Sequence, residues 1–389
     1  MSLAPAVERT VGNLLPDGAA PAEHVTSGRA VPGRATPSGD ALPGGGAPSG
    51  TDRPSDADRR DAPGLVDRFG RRHRDLRISL TDRCSLRCTY CMPAEGMQWL
   101  PSEELLTVAE MTRVAAVAVR HGVEEIRLTG GEPLLRPDIV EIVAGLAALP
   151  GAPEISMTTN GLRLAALAEP LRAAGLGRLN MSLDTLRPER YARLTRRDRL
   201  GRALDGLAAA DRAGFTGTKL NAVLVRGVND DETVDLLRFA LERGYELRFI
   251  EQMPLDAGRT WTREGMVTAD EVLASLTGEF DLVPVPTRGA APAERWRVDG
   301  TDAVVGIVAS VTRPFCGACD RIRLTADGQL RNCLFARDET DLRTILRTGG
   351  DDERIAQALG LAVRAKAAGH TVGTAGFEQP ARGMSAIGG

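Results

Sequence analysis

From about residue 65 onward the chain alternates two hydrophobic patterns, a short β-rich run and then an amphipathic helical stretch. The β-rich runs are LRISLTD (76–82), EIRLTGG (125–131), EISMTTNG (154–161), RLNMSLDT (178–185), KLNAVLVRGV (219–228) and LRFIEQMP (247–254). Between the first two, SEELLTVAEMTRVAAVAVRHG repeats apolar residues at helical spacing. Its start reads as a capping box at Ser102–Leu105, with Glu103 and Glu104 nearby, and Gly122 ends it. A helix after each strand requires parallel neighbours joined by right-handed crossovers. The fold class expected is α/β, an incomplete (β/α)6 TIM-like barrel. The polar endings LTD, TGGEP, TTNG and SLDT gather at the strand C-termini, where such barrels carry their chemistry. Beyond about 270 the runs shorten to DLVPVP, ERWRVDG and AVVGIVASV, followed by two helical stretches within 338–368, a smaller C-terminal α+β region. Residues 1–64, rich in Pro, Gly and Ala and without an aromatic residue, read as a disordered extension. The expected domains are therefore 1–64, 65–270 and 271–389.

Composition narrows the function. A formal net charge of −3 over 389 residues offers no general field for nucleic acid. No apolar run approaches the ~20 residues of a membrane helix, and the N-terminus lacks a secretory pattern, so a cytoplasmic protein is expected. Of 49 basic residues only Lys219 and Lys366 are lysine. The six cysteines form two groups, Cys84, Cys88, Cys91 and Cys316, Cys319, Cys333, which suit metal or cluster ligands in a reducing compartment better than disulfides.

CSLRCTYC (84–91) spaces its thiols i, i+4, i+7, which in a helix would be one apolar stripe. A strand ending near Asp82 and Pro93 just beyond leave no room for that helix. Structural zinc usually takes four ligands in paired CxxC spacing. Three thiolates on one loop suit an iron–sulfur cubane, whose fourth iron is left for an exogenous ligand. Here the sequence resembles the radical S-adenosylmethionine (SAM) enzymes, whose CxxxCxxC signature has an aromatic residue before the last cysteine, in this chain Tyr90. The resemblance implies that SAM chelates the open iron and is split by one electron to a 5′-deoxyadenosyl radical. TGGEP (129–133), otherwise a tight turn, resembles the GGE motif that holds SAM's methionine end: glycines admit a ligand to the backbone, and Glu132 can accept from an ammonium group. The resemblance adds Gly131, Glu132, Ser182 and Met253 to Tyr90 as expected SAM contacts.

FCGACDRIRLTADGQLRNCLF gives CxxC and then Cys333, with no fourth ligand evident and no knuckle spacing among the four histidines. A second three-cysteine cubane is favoured over zinc or a redox pair. If 321–324 is a strand, Arg321 and Arg323 share a face, suited to a phosphate-bearing substrate unless they are simply solvated.

Together LRISLTDRCSLRCTYCMP, IRLTGGEPLLR, MTTNG, NMSLDTL, RFIEQMP and FCGACDRIRLTADGQLRNCLF closely resemble the GTP 3′,8-cyclase family of molybdenum cofactor biosynthesis, over about 65–389. The resemblance implies two 4Fe-4S clusters, with guanine on the open iron of the second. It also implies GTP contacts from Arg77, Arg127, Thr158, Lys219, Arg321, Ile322 and Arg323, of which Lys219, Arg321 and Arg323 are expected to be catalytic. It further implies a Gly388–Gly389 tail reaching into the site, a reduced electron donor, a homodimer, and a following enzyme, cyclic pyranopterin monophosphate synthase. Ser85 departs from the family's frequent Asn, which puts one loop hydrogen bond in doubt.

Overall fold

Six parallel strands carry the alternation, each shorter than its β-rich run because the polar C-terminal residues leave the sheet as loops. They are β1 (Asp75–Ser79), β2 (Glu125–Thr129), β3 (Glu154–Thr159), β4 (Arg178–Ser182), β5 (Lys219–Val223) and β6 (Glu246–Ile250). The computed structural model describes residues 64–388, so the extension expected before 64 lies outside the described residues, as does Gly389. Helices α1 (Val108–Arg120), α2 (Ile139–Ala147), α3 (Leu164–Ala173), α4 (Pro188–Thr195), α5 (Leu200–Arg212) and α6 (Thr233–Glu242) return the chain between them. The cap of α1 is not where the sequence suggested. Ser102–Glu104 is a separate 3-10 turn ended by extended Leu105, and the capping box is Thr107 with Glu110, whose side chains each accept from the other's backbone N–H (3.2 and 2.8 Å). No helix among the described residues is long and apolar enough to cross a membrane.

After α7 (Ala269–Thr277) come β7 (Leu282–Pro284), β8 (Glu294–Val298), β9 (Val304–Val308), β10 (Arg321–Leu324), β11 (Gln329–Arg331) and β12 (Thr340–Asp341). Helices α8 (Leu342–Arg347), α9 (Asp352–Arg364) and α10 (Met384–Ile387) complete the chain. These late strands build no second sheet. They extend the first at both edges, giving the order β12-β11-β10-β1-β2-β3-β4-β5-β6-β9-β8-β7. β10 lies parallel to β1 and β9 parallel to β6, while the outermost pairs are antiparallel.

Parallel strands covered on both faces usually read as continuous apolar runs. These alternate. Leu76, Ile126, Met157, Leu179, Leu220 and Leu247 are fully or almost fully buried on one face, each worth roughly 1.5–3 kcal/mol of burial. The opposite face is polar, and the parallel register aligns it across strands: Arg323 beside Arg77, Arg77 beside Arg127, Arg127 beside Ser156. Farther along, Asn180 stands beside Lys219, Lys219 beside Glu246, and Asn221 beside Arg248.

Candidate active site

The loop leaving β1 carries Cys84, Cys88 and Cys91, all free and half-buried. Cys91 N–H and Met92 N–H both donate to Cys88 O at 3.0 Å, so the helical element here is a single turn and not a stripe-bearing helix. The loop is held from two sides. Arg87 N–H and Thr89 N–H donate to Thr195 O and Leu194 O at the end of α4 (2.9 Å each), and Asn160 Nδ2 donates to Ser85 Oγ (3.1 Å). Ser85 thus takes part in one hydrogen bond that holds the loop.

The glycine pair after β2 anchors the same loop. Gly131 N–H donates to Thr81 O (2.7 Å) and Glu132 N–H to Arg83 O (2.8 Å). A Cβ on Gly131 would lie 2.3 Å from Arg83 O, and one on Gly130, at φ +127°, 2.4 Å from Thr81 O. What approaches these glycines is thus the cysteine loop's own backbone. Glu132 is buried and accepts from Leu134 N (3.0 Å), Thr159 Oγ1 (2.7 Å) and Asn160 N (2.7 Å); burial still holds its carboxyl above the usual range. Tyr90 OH donates to Asp184 Oδ2 (2.6 Å), and burial raises Asp184 to about 6. Ser182 closes β4 on the polar face beside Asn221 of β5, and Met253 lies in the loop after β6.

Burial raises Cys84 to about 11 and Cys91 to about 12, and raises Cys88 as well, with neighbouring acidic groups and thiols adding to it. These thiols are protonated near neutrality until a metal displaces the proton. No group of three or more His, Cys, Asp or Glu among the described residues converges as one metal ion requires. A cubane binds each thiolate through a different iron, so its ligands surround the cluster and need not meet.

Cys316, Cys319 and Cys333 line a cavity of about 360 Å³ with Phe335, Lys366 and His370. Burial pushes the Cys319 thiol up, but Arg321 and Lys366 outweigh it and the net shift is downward. Three cysteines around one cavity, one already biased toward thiolate, fit a cluster. Beside them, Arg321 and Arg323 of β10 are buried on the polar face, whereas Ile322 points the other way into the apolar core, so its side chain is not on the polar face.

Arg77 ion-pairs with Asp75 at 3.5 Å; burial lowers it to about 10, Asp75 opposing. Arg127 pairs with Glu125 (2.5 Å) and donates to Ser156 Oγ (3.2 Å). Thr158 stands beside Asn180. Lys219 lies 3.9 Å from Glu246, and burial, with the charge of Arg248, lowers it to about 8. Ser79 Oγ is buried without a hydrogen-bond partner among the described residues, and Arg77 Nε and Arg321 Nε, also without one, stand 3.5 and 3.6 Å from the carboxylates of Asp75 and Asp320. The tail enters here: Arg323 Nη1 donates to Gly388 O, and a Cβ on Gly388 would strike Thr129 Oγ1 and Ser79 Oγ. Sequence reasoning missed Arg178 and Arg248, polar-face residues of RLNMS and ELRFI. The period-two polarity of those strands was the available signal.

Residues 78–240 match the Radical SAM superfamily and residues 245–372 match Molybdenum Cofactor Synthesis C. The chain is 58% identical over 336 residues to the GTP 3′,8-cyclase of Streptomyces coelicolor, covering 86% of this chain and 98% of that one. It is 55% identical over 338 residues to the GTP 3′,8-cyclase of Mycobacterium marinum, covering 85% and 94%. Among solved structures, Streptococcus suis SuiB bound to precursor peptide SuiA superposes with TM-score 0.51 at 14% identity, over 77% of this chain and 68% of that one, a likeness of fold alone. With both cysteine groups, the glycine-anchored loop and the arginine-lined face on one parallel-rich sheet, the chain belongs to the GTP 3′,8-cyclase family of the radical SAM superfamily.

Proposed function

We propose that this protein converts GTP to (8S)-3′,8-cyclo-7,8-dihydroguanosine 5′-triphosphate, the first step of molybdenum cofactor biosynthesis. The observation that carries the reading is the register that stands Arg323, Arg77 and Arg127 side by side on the polar face that the cysteine loop and the second cysteine group adjoin. In this reading residues 65–270 form an incomplete (β/α)6 barrel and 271–389 a smaller region that brings the second cluster and the tail. Cys84, Cys88 and Cys91 hold one 4Fe-4S cluster and Cys316, Cys319 and Cys333 a second. When bound, the first cluster with SAM would supply the 5′-deoxyadenosyl radical chemistry at the ribose 3′ position, and the reduced donor the electrons, for joining that carbon to guanine position 8.

The chain's own residues bind and orient. Arg77, Arg127, Lys219, Arg321 and Arg323 neutralise the triphosphate, in a setting where buried cations interact more strongly than in water. Thr158 offers a hydroxyl from β3 on the same face. Gly131, Glu132, Tyr90, Ser182 and Met253 border the SAM site, Tyr90 through its bond to Asp184. Fixing both ends of GTP sets the ribose against the radical source and is where the protein lowers the barrier. A reduced electron donor, a homodimer, a following cyclic pyranopterin monophosphate synthase and a cytoplasmic setting complete the proposal.

Anaerobic incubation of the reconstituted protein with SAM, GTP and dithionite should yield 5′-deoxyadenosine together with a cyclised guanine nucleotide. Deoxyadenosine formation independent of GTP, with GTP recovered unchanged, would refute the assignment.

A further inference from the structure

We propose that Lys366 is a positioning residue for the second iron–sulfur centre, donating to the Cys319 sulfur and stabilising the reduced cluster. The inference rests on the reading that Cys316, Cys319 and Cys333 carry that cluster. Lys366 follows α9 and is only 3% exposed. Its Nζ lies 3.4 Å from Cys319 Sγ and 2.6 Å from the Arg321 carbonyl, so two of its three donors are fixed and the charge is aimed at the sulfur. Among the described residues it makes no ion pair with a carboxylate. A buried ammonium without a counter-ion is costly, and a negatively charged cluster supplies one.

The neighbouring cation has another task. Arg71 is neutralised by Asp67 (2.5 Å) and spends its remaining donors on the carbonyls of Cys316 (2.6 Å), Ala367 (2.7 Å) and Ala368 (3.1 Å). It staples the segment after Lys366 onto the CxxC turn and fixes the distance from Nζ to sulfur. Lys366 is one of two lysines in a chain that otherwise uses arginine. The slot takes a compact point charge on a flexible stem, which a planar guanidinium does not reproduce.

Reduction moves one electron from a low-potential donor, dithionite in the test, onto the cluster; no bond forms or breaks, and negative charge is added. Hydrogen bonds and positive charge at the cysteine sulfurs favour that state and raise the potential. The test uses the full-length Cys84→Ser/Cys88→Ser/Cys91→Ser chain, so that only the second cluster is present. It is reconstituted anaerobically with Lys366, Lys366→Met, Lys366→Gln or Lys366→Arg. Iron content and an EPR-monitored redox titration are recorded without SAM or GTP. Lys366→Met and Lys366→Gln should lower the reduction equilibrium at least tenfold, 59 mV for a one-electron couple, with Lys366→Arg recovering part of the shift. If Lys366→Met fails to hold iron, Lys366→Gln, which keeps a donor without the charge, gives the same comparison. An unchanged potential in an iron-replete variant overturns the proposal and leaves the two-cluster reading intact. A parent chain that binds no cluster overturns both.

Discussion

Gly131→Ala is the sharpest test of how the cysteine loop is held. The new methyl would sit 2.3 Å from Arg83 O, 2.5 Å from Asp82 O and 2.6 Å from Arg83 C. All three are backbone atoms, so no side chain can swing aside. The loop must retreat, losing the bonds from Gly131 N–H to Thr81 O and from Glu132 N–H to Arg83 O. Two such bonds are worth about 2 kcal/mol and overpacking about 1–3 more, so the docked loop loses roughly 3–5 kcal/mol. At a tenfold per 1.4 kcal/mol, that is a fall of at least about a hundredfold in the docked population. Against a net stability of about 5–15 kcal/mol the fold itself survives. Iron after reconstitution should drop from about eight to about four per chain, with deoxyadenosine formation reduced about a hundredfold or more. Gly201→Ala is the control: its Cβ meets nothing within 4 Å, and a helical Gly→Ala change should stabilise by about 0.5–1 kcal/mol with full activity. Wild-type iron and SAM cleavage in Gly131→Ala would refute the anchoring argument.

Lys219 is held at about 8 by burial, so it is charged below that pH and neutral above it. GTP affinity should weaken by up to about tenfold per pH unit above 8 relative to Lys219→Arg, whose ratio to wild type cancels titration of the nucleotide; a flat ratio from pH 7 to 9.5 counts against a phosphate role. His73 is buried and lowered to about 4 by desolvation, so its stabilising neutral form is complete above its ordinary 6.5 and lost as pH falls toward 4. Urea titrations should show roughly 3 kcal/mol lost across that window, and His73→Gln should lose less. Arg382 grips Asp327 with two bonds (3.0 and 2.8 Å) and Glu339 with a third (3.1 Å), just before the tail. Arg382→Ala should release the C-terminus by roughly 2 kcal/mol, seen as at least about tenfold faster carboxypeptidase trimming.

The strands and both cysteine groups were legible because each is written locally, as a period of two or as a spacing between thiols. What the sequence could not show is where the late strands join the sheet. The pattern changes after 270, but nothing local says that β10 lies beside β1, so Arg323 and Arg77 could not be read as neighbours. The α1 cap failed for a related reason. Ser102 and Thr107 each precede a glutamate, and only the extended turn at Leu105 decides between them. TGGEP pointed to close backbone approach, but the partner, the loop at Thr81–Arg83, is brought up by β1 lying beside β2.

The polar face presents Arg77, Arg127, Arg178, Lys219, Arg248, Arg321 and Arg323 against four strand carboxylates, Asp75, Glu125, Glu154 and Glu246. Pairing is uneven. Glu125 and Glu246 serve Arg127 and Arg248 at 2.5 and 2.6 Å, while among the described residues Arg323 bonds only the carbonyls of Ile387 and Gly388. Burial and the charge of Arg77 hold Arg323 well below the usual arginine range, so the free protein carries a guanidinium that destabilises it. A polyanion supplies the missing charge: at a hundred times its Kd, GTP should stabilise the folded chain by about 2.7 kcal/mol. Arg323→Met should therefore do two opposite things, raising the thermal midpoint of the nucleotide-free holoprotein and abolishing most of the gain from GTP. Midpoints measured anaerobically with and without GTP separate them. A variant less stable than wild type without nucleotide, yet still stabilised fully by GTP, would mean that Arg323 serves the tail and not the triphosphate.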